Sequence, residues 1–425
     1  MQEGCDSYQS WSRRAILRGA ALGGVAWMAG IPSALANLGF RAQPDGRDTL
    51  VVVFLRGGAD GLNVVPPYLD DDYHRRRPSL RLRSPKESAA GTKTLDLDGF
   101  FGLHPSMAGL YPLYREGKMA VIQAVGSADQ TRSHFEAMSA MERGLARLGP
   151  GSDTSNGWLA RYLNHTAQEG DSPLRAVAIG DLMPDSLRGG LSAMALPDLG
   201  AFRLRGDRAF RERLTEAYGS GDDAIATAGR ETLRVLDTLN RLDYAGYRPT
   251  APAAYPSSDL GNALKQVAFL LKAEVGLEVA FLDKGGWDTH VAQGSTTGWL
   301  AGLLEDVGNS LAAFTADIGP RLGKTTVVVM TEFGRRVYEN SGLGTDHGRA
   351  SCMFVMGGST RGGKVYGDWP TLADDKLEGT GDLRVTTDYR DVLGEVLTRR
   401  MGLDQIDTVF PGLRHRPLGL LGEIG

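Results

Sequence analysis

The sequence predicts an α/β protein built on a doubly wound, mostly parallel sheet with helices on both faces. Three observations predict it. Short apolar runs rich in β-branched residues recur at 49–55, 119–125, 175–179, 278–282, 325–330 and 352–356, as strands buried on both sides do. Segments with helical spacing of apolar residues stand between them, which is the alternation of a parallel sheet with crossover helices. Several of the runs also end abruptly in charged or polar clusters, and the carboxyl ends of strands are where open α/β sheets carry their sites.

Composition is consistent with this class. The chain has 425 residues, 42% hydrophobic and 23% charged, which is ordinary for globular proteins and ample for a large core. A net charge of −4 argues against nucleic acid as the main partner. Residues 1–36 are expected to be a twin-arginine export signal: Ser12-Arg13-Arg14-Ala15-Ile16-Leu17-Arg18, then a Gly/Ala-rich apolar stretch from Gly19 to Ile31, then Ala34-Leu35-Ala36 as the small-residue cleavage site. The stretch is too short and weakly apolar for a good membrane span, although an uncleaved anchor is the alternative. The expected product is a periplasmic or secreted protein, residues 37–425, passed through the twin-arginine translocase and carrying no stable membrane span. Removing the signal also removes Cys5 and leaves Cys352 alone in an apolar strand, a buried thiol with no disulfide partner.

The elements follow in order. Thr49 to Leu55 is the first strand, and Arg56-Gly57-Gly58-Ala59-Asp60-Gly61-Leu62-Asn63 after it is a Gly-rich loop with one acid. Its glycine spacing is not a dinucleotide fingerprint; no Walker motif occurs either, so no nucleotide is expected. Asp60 is either a local cap or a ligand. Residues 68–100 read as a charged surface excursion. His104-Pro105 opens a helix running to about Glu116, with proline in its first turn. Met119 to Val125 is the second long strand, and Arg132-Ser133-His134-Phe135-Glu136 follows. Ser133 with Glu136 makes a capping-box pattern. Ser133 is thus a helix cap, or a nucleophile or anion site at a helix amino terminus.

Gly157 to Leu163 is a helix with Trp158 and Tyr162 on one face, and Arg175 to Ile179 a short strand. Residues 181–257 are mixed and are expected to form an insertion or cap beside the sheet. Leu260, Leu264, Val267, Ala268 and Leu271 mark a helix. The strand Glu278 to Leu282 ends in Gly285-Gly286-Trp287-Asp288-Thr289-His290, where alternation places Asp288 and His290 on the same side. Two such side chains either brace a loop or hold a divalent metal. A long amphipathic helix from Trp299 to Ile318 feeds the Thr325 to Met330 strand. That strand ends in Thr331-Glu332-Phe333-Gly334-Arg335-Arg336, and Gly344-Thr345-Asp346-His347-Gly348 precedes the Cys352 strand. Glu332 with the arginines is an ion pair at a strand end or part of a site. Thr386-Thr387-Asp388 caps a final helix with Tyr389, Val392, Leu393, Val396 and Leu397 inward.

The segments LVVVFLRGGADGLN, RSHFEAM, FLDKGGWDTH, VVVMTEFGRRV, TDHG, GGKVYGDWP and TTDYRDVL, spread over nearly the whole chain past the signal, resemble the bacterial exported family known as domain of unknown function 1501. That family is grouped with the alkaline phosphatase and sulfatase superfamily. The resemblance implies an α/β/α fold and a hydrolytic site of the two-metal kind for phosphate or sulfate esters, small or polymer-borne, with one or two divalent ions (zinc, calcium, magnesium or manganese). Carried over residue by residue, it implies Ser133 as nucleophile, with Arg132 and Arg335 or Arg336 on the anionic group. It implies Asp60, Asp288, His290, Glu332, Asp346 and His347 as metal ligands. Two positions depart from the superfamily pattern. Asp60 stands five residues past Leu55, and Phe333 stands where a histidine is usual, so His134 is the candidate to replace that ligand. These departures keep a second class open, a binding or assembly protein on a hydrolase-like scaffold.

Overall fold

Strand residues that are mostly apolar on both faces form the middle layer of the molecule. The computed structural model describes residues 48–88, 93–149, 155–190, 193–202, 206–221 and 223–422; the expected export signal at 1–36 lies outside them. The strands are β1 (Thr49–Leu55), β2 (Leu95–Asp96), β3 (Gly102–Leu103), β4 (Met119–Gly126), β5 (Ala176–Ile179), β6 (Ala193–Leu196), β7 (Val279–Lys284), β8 (Thr325–Thr331), β9 (Ser351–Gly357), β10 (Val365–Tyr366) and β11 (Thr387–Asp388). All but the β2–β3 pair form one nine-stranded sheet in the order β10-β4-β9-β8-β1-β7-β5-β6, with β11 beside β4. β1 lies at the middle, parallel to β7 and β8, with Val52 opposite both Phe281 and Val328.

Period-two alternation sends the two sets of β1 side chains into two different cores. Val51, Val53 and Leu55 pack with helices α5 (Asp259–Lys272) and α6 (Trp299–Ile318), whereas Leu50, Val52 and Phe54 pack with α2 (Trp158–His165) and α7 (Tyr389–Arg400). Helices therefore cover both faces, as expected for this α/β class. The helix α1 (His134–Glu142) follows β4 and sends Met141 into the second core.

β9 is the exception to the parallel arrangement, being antiparallel to β8 and to β4. This has a consequence for the site. A chain that leaves β8 and returns as β9 never crosses the sheet, so residues 332–350 stay at one edge. Gly334 lets this return run tight against β9. A Cβ there would lie 1.9 Å from the Ala350 carbonyl oxygen, so no other residue fits.

Two expectations are corrected. The helix predicted from 104 to about 116 is two pieces, a 3-10 turn Pro105–Leu110 and an α-helical turn Tyr111–Arg115, with Met107 off helical geometry. Pro112 supplies no N–H and its ring crowds the preceding turn, which breaks the run. The stretch 181–257 is not all insertion: β6 within it joins the sheet, pairing in parallel with β5. Ala-Met-Ala-Leu has no β-branched residue, so nothing in its pattern marked a strand. The rest of the stretch holds α3 (Arg208–Gly219) and α4 (Ala224–Arg241), whose Val235 and Leu239 enter the same core as α5.

Candidate metal centre

Three loops meet at the carboxyl edge of β1, β7 and β8: residues 285–293 after β7, 332–350 after β8, and the first turn of α1. Thr331 and Glu332 end β8, and Glu332 is buried. Its Oε1 accepts from the Gly57 N–H at 2.8 Å and lies 2.7 Å from His134 Nδ1, while its Oε2 accepts from the Thr331 hydroxyl at 3.0 Å. Since a carboxylate only accepts, His134 Nδ1 carries the proton and Nε2 keeps its lone pair. That Nε2 is buried with no hydrogen-bond partner, and Asp288 Oδ1 lies 3.5 Å from it.

The other two histidines repeat the arrangement. His347 Nδ1 is 2.8 Å from the Arg132 carbonyl oxygen, which can only accept, so its Nε2 also holds a lone pair. His290 Nδ1 is 3.2 Å from Asp346 Oδ1, and Asp346 is in turn held by the Asn340 amide at 2.9 Å. The inward nitrogens converge: His347 Nε2 and His290 Nε2 are each 3.0 Å from Asp288 Oδ1 and 2.9 Å from each other. Each ring thus turns Nδ1 to a fixed acceptor and Nε2 to one shared point. Ligating histidines have this arrangement, with outer acceptors setting tautomer and ring angle. Two lone pairs at 2.9 Å repel unless a cation or proton lies between them. The orphaned His134 Nε2 calls for the same partner. The donor set fits a metal ion, and ligand atoms of His134, Asp288 and His347 all lie within 4.8 Å of one another.

The electrostatics agree. Burial works against ionising Asp288, but the hydrogen bond and the charge of Arg335 hold its carboxyl far below the usual range. The Glu332 hydrogen bond raises the proton affinity of His134, against the opposing effect of burial. A more basic ring nitrogen is a better ligand. Burial lowers that of His347, with the Arg335 charge adding to it. The Asn340 amide, ahead of the His290 contact, holds Asp346 below the ordinary carboxylate range.

A family model described as "Protein of unknown function (DUF1501)" matches residues 47–411. The chain belongs to that family. Among curated proteins the chain finds no match. Among solved structures it is similar to members of the alkaline phosphatase and sulfatase superfamily. The C-terminal periplasmic domain of EcEptC from Escherichia coli, a complex with Zn, shares 11% identity over 91% of this chain and 92% of that one, with a TM-score of 0.38. PsFucS1 sulfatase from Pseudoalteromonas sp. shares 12% identity over 89% and 72%, with a TM-score of 0.36. A protein in the alkaline phosphatase superfamily from Vibrio parahaemolyticus shares 10% over 84% and 72%, with a TM-score of 0.32.

The expected site residues divide into two groups. Asp288, His290 and His347, expected as ligands, lie together, and His134, the candidate to replace a ligand at the Phe333 position, lies beside them. The Phe333 ring packs against His134 and His347, with centroids 4.8 and 5.0 Å away, and so forms a wall of the centre. The other expected ligands lie behind this cluster: Glu332 Oε1 faces His134 Nδ1 and Asp346 Oδ1 faces His290 Nδ1. Asp60 is not brought to the cluster. It is buried in an ion pair with Arg77 at 2.6 Å and accepts from the Gln293 amide at 2.7 Å.

Of the three arginines expected on an anion, Arg336 lies 3.7 Å from Asp346 Oδ2, and Arg132 and Arg335 are engaged elsewhere. The Arg335 side chain is wholly buried, donating to the carbonyls of Gly58, Thr345, Trp287 and Gly57 and to Asp288 Oδ1 at 2.7 Å. It pins the loops after β1, β7 and β8 together. The Arg132 guanidinium is paired with buried Asp382, and only its carbonyl faces the centre. Ser133 caps α1, its hydroxyl accepting from the Glu136 N–H at 3.5 Å. Asn340 and the Arg132 carbonyl escaped sequence reasoning. Asn340 lies in a stretch that reads as an ordinary polar turn, and a carbonyl has no sequence signal at all.

Proposed function

We propose that this protein is a metal-dependent hydrolase of phosphate or sulfate esters that works outside the cytoplasm after twin-arginine export. The observation that carries it is the convergence of three histidine Nε2 atoms on Asp288 Oδ1, each ring braced from behind. Nitrogen-rich donors favour zinc over calcium or magnesium, which prefer all-oxygen shells. A divalent ion there supplies a Lewis acid for the ester oxygen. His134, His290, His347 and Asp288 hold it; Glu332, Asp346 and the Arg132 carbonyl keep the rings in register. Ser133 is the nucleophile in this reading. It adjoins His134 at the amino end of a nine-residue helix, where the dipole favours negative charge on an attacking oxygen or an incoming anion. Small esters and esters borne on a polymer are both within this substrate class.

The export segment is Arg13-Arg14 through Ala36, with a mature start near Asn37. Among the described residues no helix is long and apolar enough to cross a membrane. Replacing both arginines by lysine should leave precursor in the cytoplasm, and efficient export of that variant contradicts this part of the reading.

The test of the reaction is turnover of generic aryl phosphate and aryl sulfate esters by zinc-loaded protein, with Ser133→Ala and His347→Ala alongside. Turnover that both substitutions abolish supports the proposal. A zinc-loaded protein inert on both ester classes supports the second reading, a binding protein on this scaffold. The engagement of Arg132 and Arg335 with acceptors inside the protein favours that alternative, because it leaves neither to clamp an anion.

A further inference from the structure

Three of the most exposed large apolar side chains lie on the segments that build the centre, and a fourth lies past the end of the strand next to β7. Phe135, 85% exposed, follows His134 in the first turn of α1. Val291, 73% exposed, follows His290. Leu343, 55% exposed, lies on the loop that leads to His347. The loops of Val291 and Leu343 are joined by backbone bonds, Ala292 N–H to Gly342 O at 2.8 Å and Gln293 N–H to Leu343 O at 3.0 Å, so these two side chains share one side of the rim. Leu182, 84% exposed, lies just past the carboxyl end of β5. The turn after it is tied to α1 where Ser186 donates from its N–H and hydroxyl to Glu142, at 3.0 and 3.2 Å.

Single exposed leucines need no explanation, but several around one polar centre do. The backbone adds a second observation. Leu343 and Ala292 both have left-handed φ, 57° and 48°, a conformation that side chains beyond glycine rarely adopt. Such conformations gather at ligand clamps. A glycine at 343 would be relaxed there, yet the position holds a leucine directed to solvent. Ligand sites commonly pair a few convergent polar groups with apolar walls that take the body of the ligand.

We propose that the ligand of this centre is an amphiphilic ester, an anionic phosphate or sulfate head on an alkyl or aryl body, with Phe135, Leu182, Val291 and Leu343 receiving the apolar body. This rests on the ester-hydrolase reading and names the substrate class of that site. The head lies at the His/Asp cluster. The body leaves over the rim, because the cluster is continuous with it on the loops of His134 and His290.

The test is calorimetric binding of alkylphosphonates, methyl to octyl, to the zinc-loaded protein below their micelle concentrations. Phosphonates have no ester to hydrolyse, so binding is read apart from turnover. Affinity should rise roughly two- to fourfold per methylene over the first several carbons, as partial to full burial of each methylene gives. A Phe135→Ser/Val291→Ser/Leu343→Gly variant, with its melting temperature and zinc content as controls, should flatten that series. A flat series in the unaltered protein, with methylphosphonate bound, overturns the apolar rim and leaves the hydrolase centre standing. No binding by any member, with zinc shown in place, overturns both. A slope that survives in the triple variant overturns the assignment to these residues. Affinity that appears only when lipid vesicles are present overturns the soluble amphiphile in favour of a membrane surface.

Discussion

His134 Nδ1 lies 2.7 Å from Glu332 Oε1, across 198 positions of sequence, and this contact decides which nitrogen of His134 faces Asp288. Glu332 is fixed first, by the Gly57 N–H and the Thr331 hydroxyl. Its negative charge then holds the Nδ1 proton and makes Nε2 the donor.

Glu332→Gln tests that brace. The amide oxygen still accepts from His134, but the charge is gone, so the fold should stay and metal affinity should fall about 10- to 100-fold. Competition with a chromophoric chelator reads it. An unchanged affinity means that Glu332 only packs.

Arg335→Lys tests the strut. One ammonium offers three donors and no planar fork, so it cannot serve four carbonyls and Asp288 together. Leaving buried acceptors unpaired costs about 1–3 kcal/mol each, so several kcal/mol of stability should be lost. Urea unfolding of the metal-free protein measures it independently of the ion. An unaltered midpoint with reduced anion binding would restore Arg335 to the role of clamp.

His104 predicts an acid sensitivity away from the centre. Its Nδ1 accepts from the Ser106 N–H at 3.1 Å, and its Nε2 donates to the Ser295 carbonyl at 3.0 Å. Only the neutral ring satisfies both. Burial accordingly lowers its pKa from 6.5 to about 4. The unfolded chain therefore binds this proton first. The contribution is complete above pH 6.5 and is lost as pH falls from there toward 4, up to about 3 kcal/mol. Melting temperature against pH, for the protein and for His104→Gln, should show a steeper acid limb in the unaltered protein. Parallel limbs contradict the assignment.

How far the sequence reached depends on what each residue's neighbours are. β1 and β8 were legible because seven buried residues in a row leave little choice but a central strand. The edge position of Asp288, His290 and His347 was legible because each adjoins the end or the beginning of such a strand. β6 was not, since an Ala-Met-Ala-Leu run has no strand-forming preference of its own and is buried only by pairing with β5. The roles of the charged residues are less legible, for a different reason. A charged residue at a strand end serves equally as ligand, brace or strut, and only distance separates them. Glu332 and Asp346 have the right charge behind the cluster. Arg335 has the right charge turned toward backbone carbonyls. Asp60 has the right charge beside Arg77. These outcomes follow from the antiparallel return of β9 and the loops it brings together, which no local pattern encodes.

The centre itself is tested most directly by metal content. Protein purified after export in its native route, without added metal or chelator, should contain about one zinc per chain by mass spectrometry. A His134→Ala/His347→Ala variant should be almost free of metal, and its melting temperature should no longer respond to zinc. An unaltered protein that is metal-free, gains no stability from zinc and matches the double variant in both measurements would show that the three histidines hold one another and Asp288, and nothing else.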